Sequence, residues 1–209
     1  MAIIHKTTMS PNKLELLAAW LPDRPWYLPT GRSPELVRSG GFRLDDPEGE
    51  VGIEFMVVTD TSGGEPTAYH VPLTYRGAPL AGAEAALVGT TEHGVLGRRW
   101  VYDGPHDPVL TAQLLALFQG RAEPQAQSLS DTPDPSVTVR YEGPQPAGAE
   151  GAPALTVTRV LGEAAAPAAS ALGEVTAGWT GPDGSTHRGV FAVDDRVGGV
   201  LAPRPALGL

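Results

Sequence analysis

Three stretches between Gly41 and Gly104 alternate in apolar and polar residues, and this limits what the chain can fold into. In Val51–Thr59, Val51, Ile53, Phe55 and Val57 point one way, and Glu54 and Met56 the other. In Thr67–Tyr75, Tyr69, Val71, Leu73 and Tyr75 share a face. Val95–Tyr102 closes the set, with Leu96, Trp100 and Tyr102 in step. Successive side chains of a strand leave opposite faces, so period-two alternation predicts a half-buried antiparallel sheet. Such a sheet needs a cover.

Two segments can supply it. Ser10-Pro11 reads as a helix start, with Ser as the cap and Pro in the first turn, and Leu14, Leu17 and Leu21, with Trp20 beside them, follow at helical spacing until Pro22. Asp107-Pro108 repeats the start signal, and Leu110, Leu114, Leu117 and Phe118 form the stripe, stopped by Gly120. Packed on a sheet, that second stripe contributes roughly 6–8 kcal/mol of transfer energy before ordering costs.

Between and beyond these segments the reading is coarser. Ala2–Thr7 reads as a short strand and Ser33–Ser39 as a short helix broken by Gly40-Gly41. Thr61–Pro66 is a hairpin loop, and Ala86–Glu92 and Val95–Tyr102 flank a tight turn at His93-Gly94. Glu123–Pro153 shifts to Pro, Gln, Ser, Ala and Gly, apart from an extended run over Ser136–Tyr141. Leu155–Leu161 is a further strand, Glu163–Ala171 a poor helix interrupted by Pro167. Glu174–Thr180 and Thr186–Val193 flank a Gly-Pro-Asp-Gly turn. The expected layout is an α+β domain over 1–122, a connector with one strand over 123–153, a β-hairpin region over 154–197 and a tail over 198–209.

Composition excludes some functions. Gly 26 and Pro 21 in 209 residues require abundant turns. The net charge of -9 opposes binding to nucleic acid or to an anionic membrane, both of which draw on Lys and Arg. With no cysteine there is no disulfide and no thiolate metal site. No apolar run reaches the ~20 residues that cross a bilayer, and Met1–Thr8 lacks the layout of a signal peptide. The expected location is the cytoplasm.

Chemistry-bearing patterns are missing. The five histidines are scattered and form no His-Glu-x-x-His pair. There is no Gly-x-Ser-x-Gly elbow and no Gly-rich phosphate loop, and no lysine follows a Gly-rich hairpin. Asp45-Asp46-Pro-Glu48-Gly-Glu50 lacks the distal Glu of a calcium loop and reads as a solvated turn. Arg98 and Arg99 leave opposite faces of one strand, which opposes a joint anion clamp. No catalytic residue, metal ligand or cofactor is expected. In Asp23–Tyr27 the binding candidates are Arg24, Trp26 and Tyr27, and two readings stay open for the aromatics: packing under the sheet, or an exposed contact.

The run Trp20-Leu-Pro-Asp-Arg24-Pro-Trp26-Tyr27 resembles the Trp-Leu-x-x-Arg-x-Trp-Tyr signature near the start of maltokinases, which phosphorylate maltose with ATP between trehalose and glycogen. Val58-Thr-Asp60 with Tyr69-His-Val-Pro-Leu73 is similar to that family's cap hairpin. Gly89–Gly94 and Tyr102-Asp-Gly-Pro105 are similar to the cap's closing half. The resemblance covers roughly residues 1–121. It implies a cystatin-like cap, a curved antiparallel sheet packed against helices, here with additional C-terminal strands. The family's phosphate-binding Lys and catalytic Asp have no counterparts, so the resemblance carries the cap and not the kinase activity.

The leading expectation is a stand-alone, non-catalytic cap-like protein acting in interaction or regulation near maltose, trehalose and glycogen metabolism. Its partner would be a protein of that metabolism, a kinase among the options, and self-association is left open. The alternative is a carbohydrate or small-molecule binding module using Trp26, Tyr27, Trp100 and Trp179 as stacking faces. The third is an enzyme of unrecognised type.

Overall fold

A computed structural model describes residues 8–141, 157–161, 173–180 and 186–193, with backbone alone for residue 141 and the last two segments. The elements in chain order are β1 (Met9–Ser10), α1 (Lys13–Trp20), β2 (Leu36–Leu44), β3 (Gly52–Asp60), β4 (Thr67–Arg76), β5 (Leu87–His93) and β6 (Gly97–Asp103). There follow α2 (Pro108–Phe118), β7 (Gln125–Ala126), β8 (Thr138–Tyr141), β9 (Val160–Leu161), β10 (Gly173–Thr180) and β11 (Thr186–Val193). The result is an α+β structure, a curled antiparallel sheet with two short helices. Its main strand order is β1-β5-β6-β4-β3-β2-β10-β11.

The alternation in β3 and β4 is realised, but the strands are buried on both faces rather than one. Val51, Ile53, Phe55 and Val57 join Phe42 and Leu44 under Leu110, Leu114, Leu117 and Phe118 of α2. Met56, Val58, Tyr69, Val71 and Leu73 lie on the other face against Leu16, Leu17 and Trp20 of α1. Each face of the sheet thus has its own helix.

The α2 start is as expected. Asp107 caps the helix, accepting from Val109 N at 2.9 Å, and Pro108 occupies its first turn. Gly120, at φ +68°, follows the helix end.

The α1 start is not at Ser10. Asn12 is the cap: its Oδ1 accepts from Glu15 N at 3.0 Å, and its own N–H donates to Glu15 Oε2 at 2.8 Å. This is a capping box, and it satisfies two end groups at once. Ser10 instead lies in β1, opposite Glu92.

The expected helix over Ser33–Ser39 is replaced by β2, which pairs with β3 from Leu36↔Asp60 to Leu44↔Ile53. The register shifts between Arg38 and Gly40, and Ser39 Oγ meets Thr59 Oγ1 at 2.6 Å across the irregularity. Gly40-Gly41 is therefore a kink inside a strand and not a helix breaker. Gly41 has φ +128°, and a Cβ there would stand 2.1 Å from Phe55 O.

Two turns also differ from expectation. The β5–β6 turn has its positive-φ residue at Gly97, φ +69°, so Leu96 lies before β6, exposed and outside the Trp100 and Tyr102 register. In the acidic turn, Asp46 is buried rather than solvated. Its carboxylate accepts from the N–H groups of Glu48, Glu50 and Val51 at 2.9–3.1 Å, which builds the β2–β3 connection.

Of the strands expected over Ser136–Tyr141, Leu155–Leu161, Glu174–Thr180 and Thr186–Val193, β8 is shorter, β9 takes only the end of its run, β10 starts one residue earlier and β11 has the expected bounds; residues 155–156 lie outside the described residues. β9 runs beside β4 at Ala68↔Leu161, and β10 reaches β2 at Trp179↔Gly40. The expectations for Ala2–Thr7, Glu163–Ala171 and the Gly181–Gly184 turn lie outside the described residues.

Candidate functional site

After α1 the chain turns twice in quick succession. A 3₁₀ turn spans Leu21–Asp23, Arg24 N donates to Leu21 O at 2.9 Å, and Tyr27 N donates to Arg24 O at 3.1 Å. Pro22 and Pro25 fix φ at both turns, and the burial of Leu21 anchors the segment. The three sequence candidates, Arg24, Trp26 and Tyr27, come together at this corner.

The corner is aromatic and cationic. The Arg24 guanidinium lies 4.7 Å from the Trp20 ring centre. Trp26 meets Trp20 edge-on, with centres 5.8 Å apart at 63°, and meets Tyr69 at 6.0 Å. Tyr27 lies 5.5 Å from Tyr69. The Arg159 guanidinium covers Trp26 at 5.0 Å. A cation over an indole face is held by the ring's quadrupole, most strongly where water is excluded.

The aromatics take different roles. Tyr27 is buried, and its hydroxyl donates to Asp60 Oδ2 at 2.8 Å. Burial, and then the Asp60 carboxylate, pushes the Tyr27 phenol up to about 12. Asp60 also accepts from Ser62 N at 2.9 Å and Glu35 N at 3.1 Å. Burial opposes the Asp60 charge, but these bonds outweigh it and hold the carboxyl below its usual value. Trp26 stays half-buried. Tyr27 is therefore a packed tie to β3, while Trp26 and Arg24 form the accessible part of the corner.

Sequence reasoning missed four members of this group: Tyr69, Asp60, Asp103 and Arg159. Tyr69 lies in an expected strand and Asp60 in the Val58-Thr-Asp60 motif just past one, but nothing in their spacing shows that they meet Tyr27. Arg159 arrives from a segment far along the chain. Its Nη2 donates to both Asp103 oxygens, at 2.8 and 2.7 Å, so its charge is matched.

Arg24 differs from Arg159 in having no ion pair with a described carboxylate. Three buried donors around the corner, Trp20 Nε1, Arg24 Nε and Arg159 Nη1, have no hydrogen-bond acceptor among the described residues. A buried donor without an acceptor costs about 1–3 kcal/mol, so the corner is held at some cost in stability.

The polar cluster around Glu54 is internally satisfied. Glu54 accepts from Lys13 Nζ and the Tyr75 hydroxyl at 2.6 Å each and from Gln127 Nε2 at 2.9 Å. Burial pushes its carboxyl up, but the Lys13 charge and these bonds outweigh it and leave it below the usual range. His70 is buried; burial and then the Arg159 charge hold its imidazole well below its ordinary value, and so neutral. Arg98 is bonded to Glu92 at 2.8 Å, while Arg99 Nη2 donates to Leu96 O. Among the described residues no three His, Cys, Asp or Glu side chains are grouped so as to hold a metal.

Of the remaining aromatic candidates, Trp100 packs beside Ala83, Ala86 and Tyr102, in a cluster separate from the corner. The Trp179 side chain lies outside the described residues. No helix among the described residues is long and apolar enough to cross a membrane.

Comparison with protein families places residues 20–107 under the maltokinase N-terminal cap domain model. The match begins at Trp20 and ends at Asp107, so it takes in the corner, the central strands and the cap residue of α2. Comparison with curated proteins finds no match.

Proposed function

We propose that this chain, whose residues 20–107 match the maltokinase N-terminal cap domain model, is a non-catalytic, cap-like interaction protein of maltose, trehalose or glycogen metabolism. The observation that carries the reading is the Trp20–Arg24–Trp26 corner. Arg24 is a guanidinium seated on an indole, without a described carboxylate, in a setting where nearby donors lack acceptors. Tryptophan and arginine are the side chains most often found at the energetic centre of protein interfaces. The partner side would supply a carboxylate to Arg24 and apolar surface to Trp26. On this reading the cap is the cystatin-like arrangement of the family, the protein is cytoplasmic, and the partner belongs to the same metabolism, a kinase among the options.

The family match supports a cap, and no kinase catalytic body is matched along with it. The carbohydrate reading is the weaker one. Sugar stacking needs a free ring face, whereas Tyr27 is buried and Trp26 is covered by Arg159 and flanked by Trp20 and Tyr69. A thermal-shift series separates the two. The interaction reading predicts no change in melting temperature with maltose or maltodextrin, and co-purification of a protein partner from native lysate at physiological salt. A dose-dependent rise with either sugar would transfer the assignment to a carbohydrate module.

A further inference from the structure

Two strands share one edge of β4. On the opposite edge β3 pairs from Gly52↔Tyr75 to Asp60↔Thr67, so β6, at Leu73 to Arg76, and β9, at Ala68 and Tyr69, lie end to end along the other. An ion pair bridges their junction. Asp103 is the last residue of β6, and Arg159 stands just before β9, its carbonyl accepting from His70 N at 2.8 Å. Arg159 Nη2 donates to both Asp103 oxygens, at 2.8 and 2.7 Å.

The same guanidinium lies 5.0 Å from the Trp26 ring centre. The other ring neighbours of Trp26, Trp20 and Tyr69, belong to residues 20–107, whereas Arg159 comes from outside them. The corner thus lies within the matched cap, and its cover does not. Residues 157–160 are half-buried, and Leu161 alone of the segment is buried, in the core on the α2 side. Pairing as short as that of β9 opens locally at low cost, so the Arg159 end of the segment depends on its side chain. That side chain and its partner keep only 13% and 9% of their exposure, and a pair so shielded fails when either charge is removed.

We infer that residues 157–161 are a strap, seated by the Arg159–Asp103 pair, that limits access to Trp26. Leu161 anchors the far end, and the guanidinium, fixed by the carboxylate at the end of β6, lies across the indole. When the pair is broken the Arg159 end lifts from β4 and the ring is uncovered, while the anchor stays. The strap regulates the corner of the partner reading and rests on that reading only for what it keeps out.

The test compares the full chain with the double variant Asp103→Asn/Arg159→Met, which removes both charges at nearly constant volume and strands neither. Amide hydrogen exchange followed by NMR reports the strap through His70, whose N–H is bonded to Arg159 O. Protection at His70 should fall roughly tenfold in the variant, while Met56 in β3 keeps its own. Acrylamide quenching reports the ring: the part of the tryptophan emission lost on Trp26→Phe, measured in each background, should be quenched more strongly in the variant. Unchanged protection at His70, a loss shared equally by Met56, or a His70 that opens without any gain in Trp26 quenching overturns the strap. In capture from native lysate, the variant should recover more of the partner than the wild type does, and equal or lower recovery overturns the regulation. Recovery of nothing by either protein counts against the partner reading alone, and exchange and quenching then decide the strap.

Discussion

The Tyr27 hydroxyl donates to Asp60 Oδ2 across 2.8 Å, and this bond ties the aromatic corner to the end of the central strand β3. Both residues are buried. Tyr27→Phe keeps the ring and removes the donor, leaving an Asp60 oxygen short of one partner. The expected loss is about 1–3 kcal/mol by chemical denaturation, with the fold retained because Ser62 N and Glu35 N still hold the carboxylate.

The same pair predicts an alkaline signature. The Tyr27 phenol is raised from 10.0 to about 12, so its contribution is fully present below about pH 10 and is lost as pH rises through about 12. Tyr69 and Tyr75 are raised as well, so the wild type alone does not isolate Tyr27. The stability difference between wild type and Tyr27→Phe should be flat up to about pH 10 and shrink above it. Denaturation midpoints of both proteins across that range measure it.

Asp107 does two jobs. It caps α2, and it receives a two-pronged bond from Arg76, whose Nε and Nη2 each donate at 2.7 Å. Its side chain has no exposed surface, while Arg76 keeps 20% of its own. Asp107→Ala should cost about 3 kcal/mol, because it strands a mostly buried guanidinium and uncaps the helix. The double variant Arg76→Met/Asp107→Ala should cost less than the sum of the singles. Additive costs in a denaturation cycle would show that the two residues are not coupled.

Gly41 is the described glycine least tolerant of a side chain. A Cβ at φ +128° would lie 2.1 Å from Phe55 O and 3.1 Å from Met56 Cα, both backbone atoms of the adjacent strand. Gly41→Ala should cost about 3 kcal/mol or more, or abolish folding, since neither atom can yield without parting β2 from β3. Gly49→Ala serves as the control: its φ is +72° but nothing lies within 4 Å, so its cost should be smaller. Circular dichroism melts rank the two.

What was legible in the chain was whatever local spacing determines. The alternation of Val51–Val57 and Tyr69–Tyr75 located β3 and β4, and the leucines at 110, 114 and 117 located α2 with its Asp107-Pro108 start. The Asn12–Glu15 capping box is a local pattern too, but it competes with the adjacent Ser10-Pro11 start signal, and local spacing does not choose between them. Ser33–Ser39 failed for a different reason. Its partner is β3, and a strand edge that needs covering exerts its pull only in three dimensions. The site divides in the same way. Arg24, Trp26 and Tyr27 are neighbours in sequence and were found together, whereas Asp60, Tyr69, Asp103 and Arg159 are brought in by sheet pairing that no local pattern encodes.

The central claim is that the corner built by Trp20, Arg24 and Trp26 receives a protein. The most direct measurement is quantitative capture from native lysate at physiological salt, comparing immobilised wild type with Arg24→Ala and Trp26→Ala variants of matched thermal stability. The account predicts that wild type enriches a protein of maltose, trehalose or glycogen metabolism and that each variant loses most of that enrichment. Recovery of no specific partner by the wild type, or equal recovery by all three proteins, would contradict it.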